Sequence, residues 1–329
     1  SGRIRHRRYR VKSALRSSAL NRSSVLIVGT GLIGTSVALA LRSAAARMRI
    51  VGFDSNRSHA RTARRRGALD EIAPTLDSAI PRADVIVLAT PLPEIIRLLP
   101  RAIARAKSGS FIIDVGPLFG PFVKAARASL ARRAGEVQLV LGHPLAGREF
   151  EGPAAAESSL FENRPFALFA PPQRWRAKAW KTAEQLVRLL GATPVRIDPS
   201  EHDRLIASTS ALPQLASVAV ALAAQRSTSR RSRQSIPKLA GSGFDSVTRL
   251  ANSPFSIWSA ALSANAANVV KTLAALVAAA RDLRSALQSG NLAKIEADFR
   301  AAAAARRRIL QPGARRAATR KSSGHVDRR

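Results

Sequence analysis

Short aliphatic runs separated by helix-length stretches organise the first two hundred or so positions of the chain. Val25-Leu26-Ile27-Val28 is the first run, and others fall at 49–53, 84–89, 110–114 and 137–141, each ending at a Gly, Thr or Asp. Such runs leave no polar face, the pattern of strands buried on both sides of a parallel sheet. Stretches of helical length at 92–106 and 122–134 supply the crossovers that parallel strands need. Two further strand signals lie at 166–169 and 193–197, and then strand signals stop. From 203 to about 310 the chain is rich in Ala, Leu and Ser, with helical stretches over 205–224, 256–288 and 292–309. The pattern predicts a doubly wound α/β sheet over 23–199 followed by an all-helical domain over 200–311. Helices apolar on more than one face are expected to bury against a partner, so a homodimer through the helical half is expected.

The turn after the first run carries the first chemistry. Gly29-Thr30-Gly31-Leu32-Ile33-Gly34 stands between a strand and an Ala- and Leu-rich helix, the context of a dinucleotide-binding turn in a Rossmann-type domain. Gly29 permits the tight turn, Gly31 lets backbone approach a pyrophosphate, and Gly34 lets helix and strand pack closely. Amides at the helix start then receive the phosphates, with Thr30, Leu32 and Ile33 in the same turn. The second run ends at Asp54, 20 residues past Gly34. An acid there accepts from the adenosine ribose hydroxyls and repels a 2′-phosphate, so NAD is favoured over NADP, with Arg57 close enough to soften the preference. Ligands of such sheets sit at the carboxyl ends of the strands, so Thr90-Pro91, Asp114-Val115-Gly116 and Gly142-His143-Pro144 are expected to line one crevice, with Thr90 beside the cofactor.

Composition narrows the reading. The 329 residues include no Cys, which excludes disulfides, thiolate metal sites and a Cys nucleophile. With 46% hydrophobic and 23% charged residues the chain is of the folding kind. No run of about 18 apolar residues appears, so no membrane-spanning helix is expected. The five histidines (His6, His59, His143, His202, His325) show no metal-ligand spacing, and no metal is expected. The net charge of +33 invites a nucleic-acid reading. Residues 1–22 hold eight Lys/Arg and no acid, and 312–329 hold six with one acid, so +13 sits in the two ends. These ends, and the cluster Arg226, Arg230, Arg231 and Arg233, read as solvated segments. Tyr9 is the one aromatic inside the basic ends, poor material for stacking on bases, and nucleic acid is disfavoured as a partner. The Arg- and Ser-rich start resembles a transit peptide in composition but lacks an amphipathic period. The chain begins at Ser1 and its one Met is Met48, so Ser1 is not expected to be the start of the gene product.

Four segments in register resemble the prephenate dehydrogenase family, with its arogenate and cyclohexadienyl members. They are 29–36 (Gly-Thr-Gly-Leu-Ile-Gly-Thr-Ser), 142–152 (Gly-His-Pro-Leu-Ala-Gly-Arg-Glu-Phe-Glu-Gly) with 160–165, His202-Asp203 ahead of 210–214 (Ser-Ala-Leu-Pro-Gln), and 243–251 (Gly-Phe-Asp-Ser-Val-Thr-Arg-Leu-Ala) with Trp258. The resemblance runs from about 25 to 310. It implies a cytoplasmic enzyme of tyrosine biosynthesis that oxidises and decarboxylates prephenate with NAD. It also assigns roles: His143 receives the substrate hydroxyl proton, Arg249 holds a carboxylate, and Trp258 borders the substrate pocket. A neutral imidazole and a planar guanidinium suit those tasks. Glu149 and Gly152 fall in the loop after His143.

Two departures from the family pattern stand out. Where many members have Ser-His-Leu-Pro-His, this chain has Ala211 and Gln214, and Gln214 can meet a substrate only through uncharged hydrogen bonds. Where the family places a Ser and, two residues on, a Lys, this chain has Pro117 and Phe119. His202-Asp203 is expected to open the first helix of the second domain, with Ser200 as N-cap. Prephenate and arogenate both remain open as substrates. A different dehydrogenase of the wider six-phosphogluconate-dehydrogenase-like group and a non-enzymatic nucleic-acid binder are the alternative readings.

Overall fold

The computed structural model describes residues 19–44, 47–133, 135–147, 150–229 and 235–310. The expectations for 1–18, for 312–329, for Arg230, Arg231 and Arg233 and for Glu149 lie outside the described residues. The elements of the first part are β1 (Ser24–Val28), α1 (Leu32–Ser43), β2 (Arg49–Phe53), α2 (Arg57–Arg65), β3 (Glu71–Ile72), α3 (Leu76–Ala79), β4 (Val85–Leu88), α4 (Leu92–Arg105), β5 (Phe111–Asp114), α5 (Gly120–Arg132), β6 (Gln138–Pro144), β7 (Pro165–Phe169), α6 (Arg176–Leu189) and β8 (Thr193–Arg196). The eight strands form one sheet in the order β3-β2-β1-β4-β5-β6-β7-β8. All pairs are parallel except β6 with β7. This is the doubly wound Rossmann-type sheet, and its order reverses between β1 and β4, where a crevice opens at the strand ends.

Alternate residues of each central strand feed opposite faces. Val25, Ile27, Val85, Val87, Phe111 and Ile113 pack with Val37 and Leu41 of α1 and Leu186 and Val187 of α6. Leu26, Val28, Ile86, Leu88 and Ile112 pack with Leu99 and Ile103 of α4 and Phe122 and Ala126 of α5. Both faces are covered, which is why the strand segments read as unbroken apolar runs.

Register sets the height of the functional loops. Val28 pairs with Leu88, and Leu88 with Asp114, so β1, β4 and β5 end level. On β6, Val140 pairs with Ile113, so this strand continues past that level and carries His143 above the sheet. The antiparallel β7 makes the extension possible: Leu141, Gly142, His143 and Pro144 pair with Phe169, Leu168, Ala167 and Phe166. Backbone groups that no parallel neighbour reaches are thereby satisfied.

The helices that follow are α7 (Pro199–Ile206), α8 (Leu212–Arg226), α9 (Ile236–Leu239), α10 (Ser242–Thr248), α11 (Phe255–Ala264), α12 (Ala266–Gln288) and α13 (Leu292–Leu310). A π-helical turn, Ala207–Ala211, joins α7 to α8 directly ahead of Pro213, which cannot donate to the helical ladder. The continuous run Pro199–Arg226 is long and apolar enough by composition to cross a membrane, which corrects the expectation of no such helix. That expectation looked for unbroken apolar sequence, whereas here Ala, Ser, Thr and Gln dilute the apolar positions. Its first turns bury His202 and Asp203 against the sheet domain. The helix expected over 256–288 breaks at Asn265, whose side chain donates to the Asp203 carbonyl instead of facing solvent.

By its internal packing the chain divides into two units, 1–270 and 271–329. In the first, Ala207, Ala211 and Val269 with Leu215, Trp258 and Leu262 form a small third core. In the second, α13 starts at Asn291, whose side chain accepts from Lys294 N (3.0 Å), after Gly290 turns the chain at φ +64°.

Ile86→Ala, at a fully buried site in the central strand, is expected to cost about 2–5 kcal/mol of stability, read as a shift in the urea midpoint at unchanged slope.

Candidate active site

The glycine turn is shaped by contacts that admit no side chain. A Cβ on Gly29, at φ +91°, would stand 2.5 Å from Ala89 O, and one on Gly34 would stand 1.9 Å from Gly29 O. A Cβ on Gly31 would meet nothing, so this position is open on the side where a ligand enters. Gly31 caps α1 without a side-chain bond, so the first amides of the helix are offered outward. Thr30 is buried and its carbonyl accepts from Thr35 Oγ1 (2.9 Å). Leu32 is half-buried, and Ile33 packs on the core beneath.

Asp54 is locked into this turn. Its Oδ2 accepts from Thr30 N (2.7 Å) and Thr30 Oγ1 (3.0 Å), and its Oδ1 accepts from Asn56 N (2.8 Å). Arg57 is engaged elsewhere, donating to Ala73 O (3.1 Å) and Pro74 O (2.6 Å), so the cation that softened the cofactor preference is held by two carbonyls. Across the switch point Thr90 Oγ1 is buried without a partner among the described residues. An open cradle, outward amides, an orphaned hydroxyl and a fixed acid together suit a dinucleotide.

His143, at the far end of the crevice, faces a second histidine. Its Nδ1 lies 3.0 Å from His202 Nε2, with the rings edge to face at 5.1 Å. His202 Nδ1 lies 2.8 Å from Asp203 Oδ1. Asp203 in turn accepts from Phe119 N and Gly120 N, both at 2.9 Å, and so holds the start of α5. Phe119 stacks on His202 at 3.9 Å and 15°. Burial, and secondly the neighbouring His202, lower the pKa of His143 from 6.5 to about 3, against the opposing pull of Asp203. The imidazole is therefore neutral across the physiological range.

A cleft of about 120 Å³ lies against His143 and is lined also by Pro117, Ser210, Ala211, Trp258 and Asn265. It brings together His143, Trp258 and two of the departures from the family pattern. Gln214 and Arg249 are not in its lining. Gln214 donates from Nε2 to Leu250 O (2.8 Å), while its buried Oε1 has no partner among the described residues. Together with the bond from Ala251 N to Ser217 Oγ (2.9 Å), this docks the turn Arg249–Asn252 on α8. Gln214 thus supports the segment that carries Arg249.

Sequence reasoning missed the part that His202, Asp203 and Phe119 play at the site. The N-cap of α7 is Asp198, with Pro199 first in the helix, and not Ser200. Asp203 stabilises α5 and not its own helix, and Phe119, in the place of a family Lys, is the surface on which His202 lies. The adjacent His-Asp pair was the available signal. Asp114 is a fourth buried group: burial raises its carboxyl well above the usual range, although Oδ1 accepts from Gly116 N (2.9 Å). Among the described residues no group of three His, Asp or Glu could hold a metal ion.

Two family models match the chain in succession: the prephenate dehydrogenase nucleotide-binding domain over 37–196 and the prephenate dehydrogenase dimerization domain over 198–301. The chain belongs to the prephenate dehydrogenase family. A probable prephenate dehydrogenase of this family, NovF from Streptomyces niveus, is 34% identical over 272 residues, 81% of this chain and 68% of that protein. The prephenate dehydrogenase of Bacillus subtilis is 32% identical over 238 residues, 72% of this chain, and the match spans only 62% of that protein's length. A crystal structure of an Aquifex aeolicus prephenate dehydrogenase, in complex with hydroxyphenyl propionate and NAD+, shares the fold with a TM-score of 0.77 at 23% identity, covering 89% of this chain and all of that one.

Gly34→Ala is expected to weaken dinucleotide binding at least tenfold, about 1.4 kcal/mol, in calorimetric titration, because its Cβ would collide with the turn. The low pKa of His143 also has a consequence for stability. The folded protein keeps this ring neutral down to about pH 3, whereas in the unfolded chain it takes up a proton near pH 6.5. Stability is therefore lost as pH falls from about 6.5 towards 3, by at most about 1.4 kcal/mol per pH unit. His143→Asn is expected to show a shallower slope in that window in urea melts.

Proposed function

We propose that the chain is an NAD-dependent dehydrogenase that converts prephenate to 4-hydroxyphenylpyruvate with loss of carbon dioxide, in tyrosine biosynthesis. The observation that carries this reading is a neutral, partly buried His143 at the end of β6, reached from a nucleotide crevice and bordered by an apolar cleft. Gly29, Thr30, Gly31, Leu32, Ile33, Gly34, Asp54 and Thr90 would hold NAD, and the open face at Gly31 with the orphaned Thr90 hydroxyl supports that assignment. Bound NAD supplies the acceptor for the hydride that leaves the carbinol carbon. His143 takes the hydroxyl proton as the carbonyl character develops, and the ring carboxylate departs as carbon dioxide as the ring becomes aromatic. Arg249 would receive a substrate carboxylate in bidentate fashion. Trp258, in the cleft wall beside His143, would border the ring.

Arogenate is a second reading with an observation of its own. Gln214 donates one amide hydrogen to Leu250 O, and its buried oxygen is an acceptor with no partner among the described residues, although it lies outside the lining of the cleft. An amino group, which arogenate carries in place of the keto group of prephenate, matches that acceptor. The helical part would mediate a homodimer: exposed Leu222, Phe255 and Ile257 lie in the region matched by the dimerization-domain model.

NADH formation measured side by side with prephenate and arogenate tests the substrate. His143→Asn is expected to lower kcat by about 10²–10⁴-fold with the dissociation constant for NAD unchanged. Full turnover in that variant would remove the assigned role.

A further inference from the structure

An unbroken line of hydrogen bonds runs from the start of α5 to His143, and the reaction as described above uses only its last member. Asp203 is a carboxylate with three donors around it: Phe119 N and Gly120 N at 2.9 Å and the His202 ring at 2.8 Å. A carboxylate only accepts, so the proton in the last contact sits on His202 Nδ1. The opposite placement would set a ring lone pair against a carboxylate oxygen. A His202 ring that carries only this proton presents a lone pair at Nε2, 3.0 Å from His143 Nδ1. That contact also needs one proton, which His143 Nδ1 must supply. His143 is left with its lone pair on Nε2, the nitrogen that can face a substrate hydroxyl.

The line is held on every side. The Phe119 ring fixes the plane of His202. Asn265 Nδ2 donates to the Asp203 carbonyl at 2.7 Å. A Cβ on Gly120 would approach Asp203 Oδ2 to 2.9 Å, so the carboxylate has a fitted seat. His202 and Asp203 are 2% and 8% exposed. The ionisable groups near His143 are these two from α7 and, from β5, the buried carboxyl Asp114. The other residues of the cleft wall carry no ionisable side chain.

We propose that Asp203 and His202 are positioning residues of the reaction, which fix His143 as the Nδ1–H tautomer so that its Nε2 accepts the substrate hydroxyl proton. This rests on the reading of His143 as the base. The proton moves from the hydroxyl oxygen to His143 Nε2. The resulting imidazolium donates through Nδ1–H to His202 Nε2, with the Asp203 carboxylate behind it to offset the charge. Phe119, unlike a Lys at the same place, puts no cation beside this line.

The test uses the full chain with NAD and whichever of prephenate or arogenate it turns over. Asp203→Asn removes the charge that holds the proton on His202 Nδ1 and sets an amide N–H against a backbone N–H of α5, so neither tautomer is fixed any longer. It is expected to lower kcat about 100-fold, with KM within threefold and the NAD dissociation constant unchanged. Its kcat should climb with pH between 6 and 9, as hydroxide replaces the lost base, where the parent enzyme is flat. His202→Phe keeps the stack on Phe119 and should lose about tenfold with the same pH trend. Long-range ¹H–¹⁵N spectra should show His143 protonated at Nδ1 in the parent and as a mixture of the two tautomers in Asp203→Asn. Variants that bind NAD normally but keep kcat within twofold, or whose profiles run parallel to the parent's, would overturn the proposal, as would a parent spectrum with His143 protonated at Nε2. If His143→Asn is inactive while both other variants are unaffected, only the positioning role falls. If His143→Asn is fully active, the reading beneath it falls as well.

Discussion

The seat of the Asp203 carboxylate on the first amides of α5 ties the start of α7 to the sheet domain. Burying a carboxylate is costly unless its oxygens are satisfied, and here backbone amides and a ring nitrogen satisfy them. The positive end of a 13-residue helix adds to the match. Because the contact is directional, it also sets the entry of α7, the plane of His202 and the side from which His143 is approached. A purely apolar junction at this place would have joined the same elements without deciding any of those orientations.

His143 owes its height to a different constraint. A parallel strand can extend only as far as its neighbours offer partners, and β5 stops near Asp114. The reversal of β7 provides a second edge, and through it four more residues of β6 are held as strand. His143 is thus carried on strand backbone and not on a loop, above the level at which the nucleotide turn emerges from β1. Two strand ends of unequal length bring the cofactor cradle and His143 to one end of the sheet.

Much of the fold was legible because the central strands are buried on both faces and so read as unbroken apolar runs. The nucleotide cradle was legible for a related reason: Gly29, Gly34 and Asp54 answer to local demands within one strand-turn-helix-strand unit. What escaped was non-local. Nothing in the spacing of Phe119, Gly120 and Asp203, some 84 residues apart, announces that one caps the others. The break at Asn265 was hidden in the same way, since its side chain bonds a carbonyl 62 residues earlier. Ser200 looked like a cap by type, yet Pro199 starts the helix two residues sooner because its fixed φ suits the first helical position. Gln214 was legible as a departure from the family pattern, but its bond to Leu250 was not.

The π-helical turn at Ala207–Ala211 has a consequence for how the long helix is used. Each residue of an α-helix advances the facing direction by about 100°, so one residue absorbed in a wider turn changes the phase of all that follows. Ahead of it, His202 and Asp203 look back towards the sheet. Beyond it, Gln214 and Ser217 look towards the segment that carries Arg249. One helix therefore serves two different neighbours, and the wide turn is the joint at which its facing direction is reset.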